Sequence, residues 1–474
     1  MTVAQEHPNG RKLLRLMMLT VTLSSMTALM FNIVLPQVSE EFRLSYAQVS
    51  WLSAGYTILY AIGTVMYGKL ADRFKLKNLL SSGLALFALG SLTGLLSASY
   101  WAALAGRCLQ SIGAACIPAL AMIIPTRYFP PERRGQAMGL IAVGPALGSV
   151  LAPVVSALIA SAAHWRWLFL PPLMILLALP FFRRLLADEP EGGVPERFDW
   201  LGGGLLTAAV ALPLMGITGL GGWWIPAGLA ALALFVWRVR TAKHPFIRPA
   251  LFRNRRFSLA VSLSFLVQAI GISLVFLTPK LLTEVHRLDA GRIGFAMVPA
   301  ALAAALLGKA GGKWADRKGN RVLYQTASGL LIACFVLLSS LADGSPLWIP
   351  VFLILGQVGQ TFIGVAMSST VSRTLPREQV GVGMGLFSML NFIAQGTAMG
   401  LYGMIAELDA GASWNPLHGR TGPAGGIGDG STAGSNAGIL YSNLYLALAV
   451  LHVGILPVYR FFFRKETPAA GKIG

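Results

Sequence analysis

Apolar residues occur in long stretches along the chain, and short segments that carry most of the charges separate them. A stretch of about twenty apolar residues is long enough to cross a bilayer as a helix. Lipid offers the backbone no hydrogen-bond partners, so these stretches must be helical, because the roughly ten-residue alternation of a membrane barrel is absent. The pattern predicts an all-α membrane protein with about fourteen helices, over residues 13–35, 47–68, 78–98, 101–125, 135–160, 165–183, 200–219, 223–240, 257–279, 293–312, 322–341, 346–370, 381–405 and 438–460.

The distribution of Lys and Arg predicts how these helices are oriented. With the N-terminus inside, the cytoplasmic segments hold about 30 of the 38 Lys and Arg residues and the outer loops hold about 6, as the positive-inside rule requires. We therefore expect a multi-pass protein of the plasma membrane with both termini in the cytoplasm. The net charge of +19 then reflects topology, and it does not indicate a nucleic-acid-binding face.

Composition excludes several other classes of protein. Only 12% of the residues are charged, against about a quarter in soluble domains. No nucleophile–base arrangement or phosphate-binding glycine loop stands in the context that an enzyme requires. The three cysteines lie in apolar segments without the paired spacing of a metal site or disulfide framework. We expect no cofactor, no metal and no nucleic-acid partner. We expect a monomer in the lipid bilayer that binds a small-molecule substrate, with protons as a second candidate cargo.

Two loop motifs repeat in the same order. The sequence GKLADR at 68–73 recurs as GKWADR at 312–317, a separation of 244 residues, and RYFPPE at 127–132 recurs as RTLPRE at 373–378, a separation of 246 residues. The shift corresponds to eight predicted helices. Two parallel six-helix repeats with two inserted helices account for it, and such repeats are a known build of transporters.

The repeat and the loop compositions predict the domain boundaries. A basic linker from Arg238 to Arg256 is expected on the anionic cytoplasmic leaflet. A Gly-, Ser- and Asn-rich stretch is expected as a flexible outer loop, with a ligand lid as the alternative. The predicted parts are a cytoplasmic N-terminus (1–12), a six-helix bundle (13–183), a linker with two inserted helices (184–256), a second six-helix bundle (257–460) with the flexible outer loop (407–438), and a cytoplasmic tail (461–474).

The motif from Gly68 to Lys77 resembles the loop motif of the major facilitator superfamily. The resemblance implies alternating access, with charged clusters that latch the cytoplasmic side. Asp72 would lie just before the third helix, where a carboxylate meets the positive end of the helix dipole. The alternative for the basic residues is that they only determine topology. The predicted gating residues are Gly68, Asp72, Arg73, Gly312, Asp316, Arg317, Arg127, Glu132, Arg373 and Glu378.

Arg107 lies about two turns inside the fourth predicted helix, with Gln110 one turn further on. An arginine at such a depth costs roughly 2.5–3.5 kcal/mol on insertion scales, so it should face a cavity or a partner. Snorkelling to the outer interface is the alternative. The stretch resembles the RxxQGxGAA motif of drug:proton antiporters, with Ser111 in place of a glycine, and this makes Arg107 and Gln110 the candidates for coupling.

Nearly the whole chain resembles the fourteen-helix drug:proton antiporter branch, and within it the Gram-positive tetracycline efflux proteins. The resembling stretches are 32–36, the loop after the second helix, 107–115, 126–141 and 441–444. The resemblance implies efflux of an amphipathic compound in exchange for protons. In the fifth helix it places Gly148 and Pro153 at the packing positions of the antiporter signature, although the other glycines of that signature are missing.

The chain departs from this branch at its acidic positions. The sites where relatives carry carboxylates fall at Thr27-Ala28, Ser149 and Gln395, and every Asp and Glu lies in a predicted loop or at a helix end. Proton coupling normally needs a titratable group in the path. An exporter of an endogenous metabolite, anionic or metal-chelating, with weak proton coupling is therefore the alternative function.

Polar residues without a formal charge provide most of the candidates for a substrate cavity. Each could instead form a hydrogen bond that only stabilises the packing of two helices. Lys309 is a candidate counterion for an anionic substrate, with snorkelling to the cytoplasm as its alternative. The cavity candidates are Asn32, Gln268, Gln357, Gln360, Asn391, Gln395 and Lys309.

Overall fold

A computed structural model of the chain places helix in each of the fourteen segments that the apolar pattern predicts. The structure describes residues 9–71, 74–129, 131–186, 199–242, 245–247, 249–375, 380–408, 414–416 and 432–463. The helix ends that the charge bias predicts to face the cytosol are called inner ends below, and the opposite ends are called outer ends.

The chain divides into two compact units, and the first holds residues Met1–Pro249 together with Gln395–Leu401. A short helix, Leu35–Phe42, follows its first long helix on the outer side. Prolines 171, 172 and 180 interrupt the sixth helix, which alternates between 3-10 and α turns, since proline has no N–H to donate. The long helical segments of this unit are α1 (Gly10–Ile33), α2 (Tyr46–Leu70), α3 (Leu76–Leu95), α4 (100–128), α5 (Pro131–Ala162), α6 (Trp165–Leu185), α7 (200–220) and α8 (Trp224–Thr241).

The second unit holds residues Ala250–Ala394 and Tyr402–Gly474. Asn254 caps its first long helix, because its side chain accepts hydrogen bonds from the backbone N–H groups of Arg256 and Phe257. The same side chain donates to the backbone oxygen of Thr374 at 2.7 Å. The long helices are α9 (Arg255–Glu284), α10 (Ala290–Lys318), α11 (Asn320–Ser340), α12 (Pro346–Arg373), α13 (Val380–Ile405, whose residues 395–401 group with the first unit) and α14 (Thr432–Phe462).

Twelve segments within the described part of the chain are long and apolar enough to cross a membrane. The other two predicted spans, α8 and α13, are helices of 18 and 26 residues. Arg238 and Arg240 in α8, and Asn391 and Gln395 in α13, lower their mean hydropathy. The all-helical membrane fold is confirmed, and the number fourteen stays a prediction.

Three predicted boundaries differ from the structure. The two inserted helices, which were predicted to lie in a separate segment 184–256, group with the first unit, whose main segment ends at Pro249. The second copy of the repeated motif, at 312–317, is helical, because α10 continues to Lys318 and stops only at Gly319, whose φ is +86°. α14 begins at Thr432, inside the segment 407–438 that was predicted as a loop.

One described piece of that outer loop is held against the second unit. Asn415 is buried, and its amide nitrogen lies 2.6 Å from Ser339 Oγ and 2.6 Å from Ser442 Oγ. Ser339 belongs to α11 and Ser442 to α14. The loop is therefore anchored at this residue, which a uniformly flexible connection would not be.

Candidate functional site

Glycines allow α3 and α4 to approach closely in the first unit. A Cβ added at Gly90 would lie 2.2 Å from the backbone nitrogen of Gln110, and one added at Gly113 would lie 2.2 Å from the backbone nitrogen of Phe87. Real Cβ atoms do not approach a backbone so closely. These glycines therefore fix the distance at which side chains of α4 meet those of α3.

Arg107 lies at this contact and is fully buried. Its Nε donates to the backbone oxygen of Leu52 in α2 at 3.0 Å, and one terminal nitrogen donates to the backbone oxygen of Thr27 in α1 at 3.3 Å. The same nitrogen donates to Gln110 Oε1 at 2.6 Å, and the Gln110 amide donates to Ser91 Oγ at 2.7 Å. The guanidinium thus connects α1, α2 and α4, and Gln110 extends the connection to α3. Because Arg107 is fully buried, the snorkelling alternative is wrong.

Two aromatic rings enclose the same guanidinium. Its Cζ lies 4.1 Å from the ring centre of Phe31 and 4.0 Å from that of Tyr56. Ser111 donates to the backbone oxygen of Tyr56, so the serine that departs from the antiporter motif ties α4 to α2. A cation between aromatic faces is stabilised by the ring quadrupoles. Phe31 and Tyr56 were not predicted from the sequence.

No carboxylate within the described part of the chain forms an ion pair with Arg107. Its second terminal nitrogen is buried and has no hydrogen-bond partner there. The backbone oxygen of Thr27 accepts from Arg107, and Thr27 is one of the positions where the resemblance to drug:proton antiporters places an acid. Asn32 is also fully buried, and neither its amide oxygen nor its nitrogen has a partner. The site holds a buried cation whose hydrogen-bonding capacity is only partly used.

The predicted packing residues of α5 lie along α1. A Cβ added at Gly148 would lie 2.7 Å from Thr22 O and 2.7 Å from Ser25 Cβ, and Pro153 is buried in the same helix. Ser156 donates to the backbone oxygen of Met30 at 2.9 Å. Close approach of α5 to α1 therefore supports the turn that carries Phe31.

The second unit brings two predicted amide residues together. Gln360 in α12 donates to Gln268 Oε1 in α9, and Gly271 leaves room for this pair, because an added Cβ would lie 2.1 Å from the Gln360 side chain. Asn391 in α13 accepts from Ser264 in α9 at 2.9 Å. Both of these contacts in the middle of the second unit are between neutral polar groups.

The remaining cavity candidates do not join this group. Gln357 is half-buried, and its backbone oxygen accepts from Thr361. Gln395 groups with the first unit. The side chain of Lys309 lies outside the described residues.

Few of the predicted gating residues can be located fully. Gly68 and Gly312 have open space where a Cβ would point, and the side chains of Arg317 and Arg373 are exposed. The roles of these four residues stay predictions. The side chains that lie outside the described residues are Asp72, Arg73, Arg127, Glu132, Asp316 and Glu378.

A charged cluster that the sequence did not predict lies at the outer end of the first unit. Glu41 accepts hydrogen bonds from Trp165 Nε1 and from Arg166 at 2.7 Å, and His164 Nε2 lies 3.1 Å from it. Burial tends to raise the pKa of Glu41, but the Trp165 and Arg166 donors and the nearby positive charges hold it below its usual value of 4.5. Glu41, His164 and Trp165 border a cavity of about 390 Å³.

A second unpredicted charged contact lies at the outer end of α9. Lys280 is buried, with Nζ 3.2 Å from Glu284 Oε1 and 2.9 Å from the backbone oxygen of Ala406. Tyr441 in α14 donates to Glu284 Oε2 at 2.8 Å. The i, i+4 spacing of Lys280 and Glu284 was a signal for this pair. Within the described residues, no group of three or more His, Cys, Asp or Glu side chains could hold a metal ion.

The chain is similar in sequence to several bacterial transporters. It is 29% identical over 406 residues to an uncharacterized MFS-type transporter of Mycobacterium tuberculosis, covering 82% of this chain and 69% of that protein. It is 28% identical over 333 residues to Multidrug resistance protein 3 of Bacillus subtilis, covering 67% and 64%. It is 23% identical over 389 residues to Riboflavin transporter RibZ of Clostridioides difficile, covering 80% and 84%.

The fold is similar to that of solved transporters. A bacterial homolog of the human lysosomal transporter Spinster, in an inward-facing unoccupied conformation, matches with a TM-score of 0.67 at 17% identity, over 98% of this chain and 100% of that one. The family model described as Major Facilitator Superfamily matches residues 17–399. With the helical membrane fold described above, this match shows that the chain is a transporter, not an enzyme, and that it belongs to the major facilitator superfamily.

Proposed function

We propose that the protein is a secondary active exporter of amphipathic small molecules, of the multidrug or tetracycline type, which works by alternating access and exchanges its substrate for protons. The motifs of α4 and α5 that resemble drug:proton antiporters support export. Multidrug resistance protein 3 of Bacillus subtilis, at 28% identity, supports the breadth of substrates.

The observation that carries this proposal is the polarity of the two interiors. The first unit offers one buried guanidinium between aromatic rings, and the second offers the neutral pairs Gln268–Gln360 and Ser264–Asn391. Pockets that bind small molecules combine apolar and aromatic walls with a few placed polar groups. Such groups suit an organic molecule that has an apolar body and a neutral or anionic polar end.

A second candidate is export of an anionic metabolite with weak or no proton coupling. Arg107 favours it, because this buried cation has no carboxylate partner among the described residues and the acid position of α1 is occupied by Thr27. A buried charge without a partner is costly, and an anionic substrate would offset that cost. The relative named as a riboflavin transporter supports an organic metabolite as cargo.

The experiment that separates the candidates is a flux measurement in proteoliposomes with an imposed pH gradient. Ethidium, tetracycline and riboflavin serve as probes, and a pH-sensitive dye inside the vesicles reports proton movement. Flux that follows the pH gradient and moves protons supports antiport, whereas flux indifferent to the gradient supports the second candidate. Arg107→Ala should abolish flux in both cases. Arg292→Ala, at an exposed arginine of α10, is the matched control.

Two further substitutions sharpen the test by restoring a carboxylate. Thr27→Asp places one at the residue whose backbone oxygen accepts from Arg107, and Gln395→Glu places one at the acid position of α13. If coupling was lost through neutralisation of these sites, flux that was indifferent to pH should become dependent on it. Parent flux that already follows the proton gradient closely would argue against any importance of the missing acids.

A further inference from the structure

Asp199 is a buried carboxylate at the inner end of α7, in the inserted helix pair, and the sequence analysis did not single it out. It caps α7 by accepting from the backbone nitrogen of Gly202 at 3.0 Å. It also forms an ion pair with Arg238 in the last turn of α8 at 3.0 Å. One carboxylate thus holds the inner ends of both inserted helices together.

The other oxygen of Asp199 holds the linker that follows α8. The backbone nitrogen of Phe246 donates to Asp199 Oδ2 at 3.2 Å, and the Phe246 side chain is buried. It packs on Gly202 and Gly203, where an added Cβ would lie 3.0 Å and 3.4 Å from it. Two glycines after the cap therefore leave the space in which Phe246 sits.

Phe246 in turn contacts the inner end of α2. Lys69 Nζ donates to the Phe246 backbone oxygen at 3.3 Å and lies 5.4 Å from the centre of its ring. Lys69 stands next to Gly68, in the first copy of the repeated motif. A chain of contacts therefore leads from the inserted helix pair, through the linker, to the segment where the repeated motif begins.

We propose that Asp199 is a positioning residue for the inner gate: by locking Phe246 against α7 and α8, it holds the Lys69 end of α2 in place. The inserted helices then serve the transport cycle as a support for the motif loop. The lock concerns conformation in a transporter of this family, and it does not depend on which substrate is carried or on proton coupling.

Hydrogen–deuterium exchange of the purified full chain in lipid nanodiscs tests this without any substrate. In Asp199→Ala, exchange should rise in residues 245–247, which lose a charge-assisted acceptor, and also in residues 64–71, which form the inner end of α2 and its C-terminal cap. We expect about a tenfold rise in both, since a hydrogen bond to a charged group is among the stronger ones. Asp289→Ala is the matched control, because Asp289 also caps a helix and pairs with an arginine, Arg292, but holds no linker.

Two more variants make the result decisive. Lys69→Met should raise exchange in residues 64–71 while residues 245–247 stay protected. The double variant with Asp199→Ala should raise exchange in residues 64–71 no further than either single change does. Asp199→Asn, which keeps an acceptor oxygen, should partly restore protection, and it decides the test if the alanine variant does not fold. Exchange that rises only in 245–247, or effects on 64–71 that simply add, would overturn the proposal.

Discussion

The interiors of the two units differ in the polar groups that they bury, although the repeated loop motifs predict that the two halves are duplicates. The first unit buries a guanidinium, held by two backbone oxygens and Gln110 and enclosed by two rings. The described polar contacts between long helices in the middle of the second unit are neutral, as in the pairs Gln268–Gln360 and Ser264–Asn391.

This difference indicates that the two units place different demands on the packing of their helices. A buried charge is costly unless many groups surround it at fixed distances, so the unit that holds Arg107 also needs the close α3–α4 contact set by glycines. Neutral amides tolerate looser surroundings, because an unmade hydrogen bond costs less than an unpaired charge. We therefore expect the first unit to respond more strongly than the second to small changes in its interior.

The largest expected effect is at the glycine contact itself. Gly90→Ala places a Cβ 2.2 Å from the backbone of Gln110, so α3 and α4 must separate, and we expect a loss of about 3 kcal/mol in the free energy of unfolding. The measurement is unfolding in mixed detergent micelles. Gly329→Ala in α11 has open space for its Cβ, and it should instead stabilise the protein by about 0.5–1 kcal/mol. Equal effects of the two variants would contradict a tight α3–α4 contact.

The next effect concerns the shape of the buried cation. Arg107→Lys keeps the charge but loses the Nε hydrogen bond to Leu52 and the planar stacking between Phe31 and Tyr56. We expect a loss of about 2 kcal/mol in the free energy of unfolding, together with a clear loss of probe flux in proteoliposomes. The control, Arg292→Lys at an exposed position, should change neither quantity. Full activity of Arg107→Lys would mean that only the charge matters.

A smaller effect is expected for the neutral pair of the second unit. Gln360→Leu leaves Gln268 without its donor, and we expect a loss of about 1 kcal/mol in stability. The double variant Gln268→Leu and Gln360→Leu should recover most of this loss, because both partners are then apolar. Comparison of the single and double variants in the same unfolding assay checks this, and an additive loss would contradict a simple pair.

The smallest effect is expected at the outer end of the first unit and depends on pH. Because the folded protein holds the pKa of Glu41 below 4.5, this residue stabilises the fold above that pH, and the stabilisation is lost as the pH falls through the folded value. The thermal unfolding temperature between pH 7 and pH 3 should therefore fall less in Glu41→Gln than in the parent. The exposed neighbour Glu40, changed to Gln, is the control. An unchanged pH profile in Glu41→Gln would show that the cluster does not contribute.

The sequence located Arg107 well but could not identify what surrounds it. A charged residue deep in an apolar stretch can be recognised from the sequence alone. The high free energy of a charge exposed to lipid predicts that such a residue is buried in any membrane protein. Its partners Leu52, Thr27 and Phe31 are apolar residues or backbone atoms that carry no distinguishing mark in the sequence. Among the cavity candidates, Gln360 donates to Gln268, whereas Gln357 on the same helix makes no side-chain hydrogen bond within the described residues, because spacing along a helix does not specify which face meets which neighbour.

Asp199 illustrates the same division. An aspartate directly before an apolar helix is a recognisable cap signal. Its contacts with Arg238 and Phe246 arise only when α8 and the linker return to the same place, which the sequence does not specify. The buried linker residue Phe246 lies in the stretch that charge alone had predicted to rest on the leaflet.

The sequence by itself determined that the chain crosses a membrane many times as helices, and it predicted a duplicated bundle. These follow from hydropathy, which acts over one segment at a time, and from motif spacing, which is read directly. Only the tertiary structure decided which polar groups meet, because those contacts depend on the distance and rotation of helices far apart in the chain. The glycine contacts that set those distances join helices that are separate in the sequence. The arrangement of the site therefore depends on helix packing and cannot be derived from any single segment.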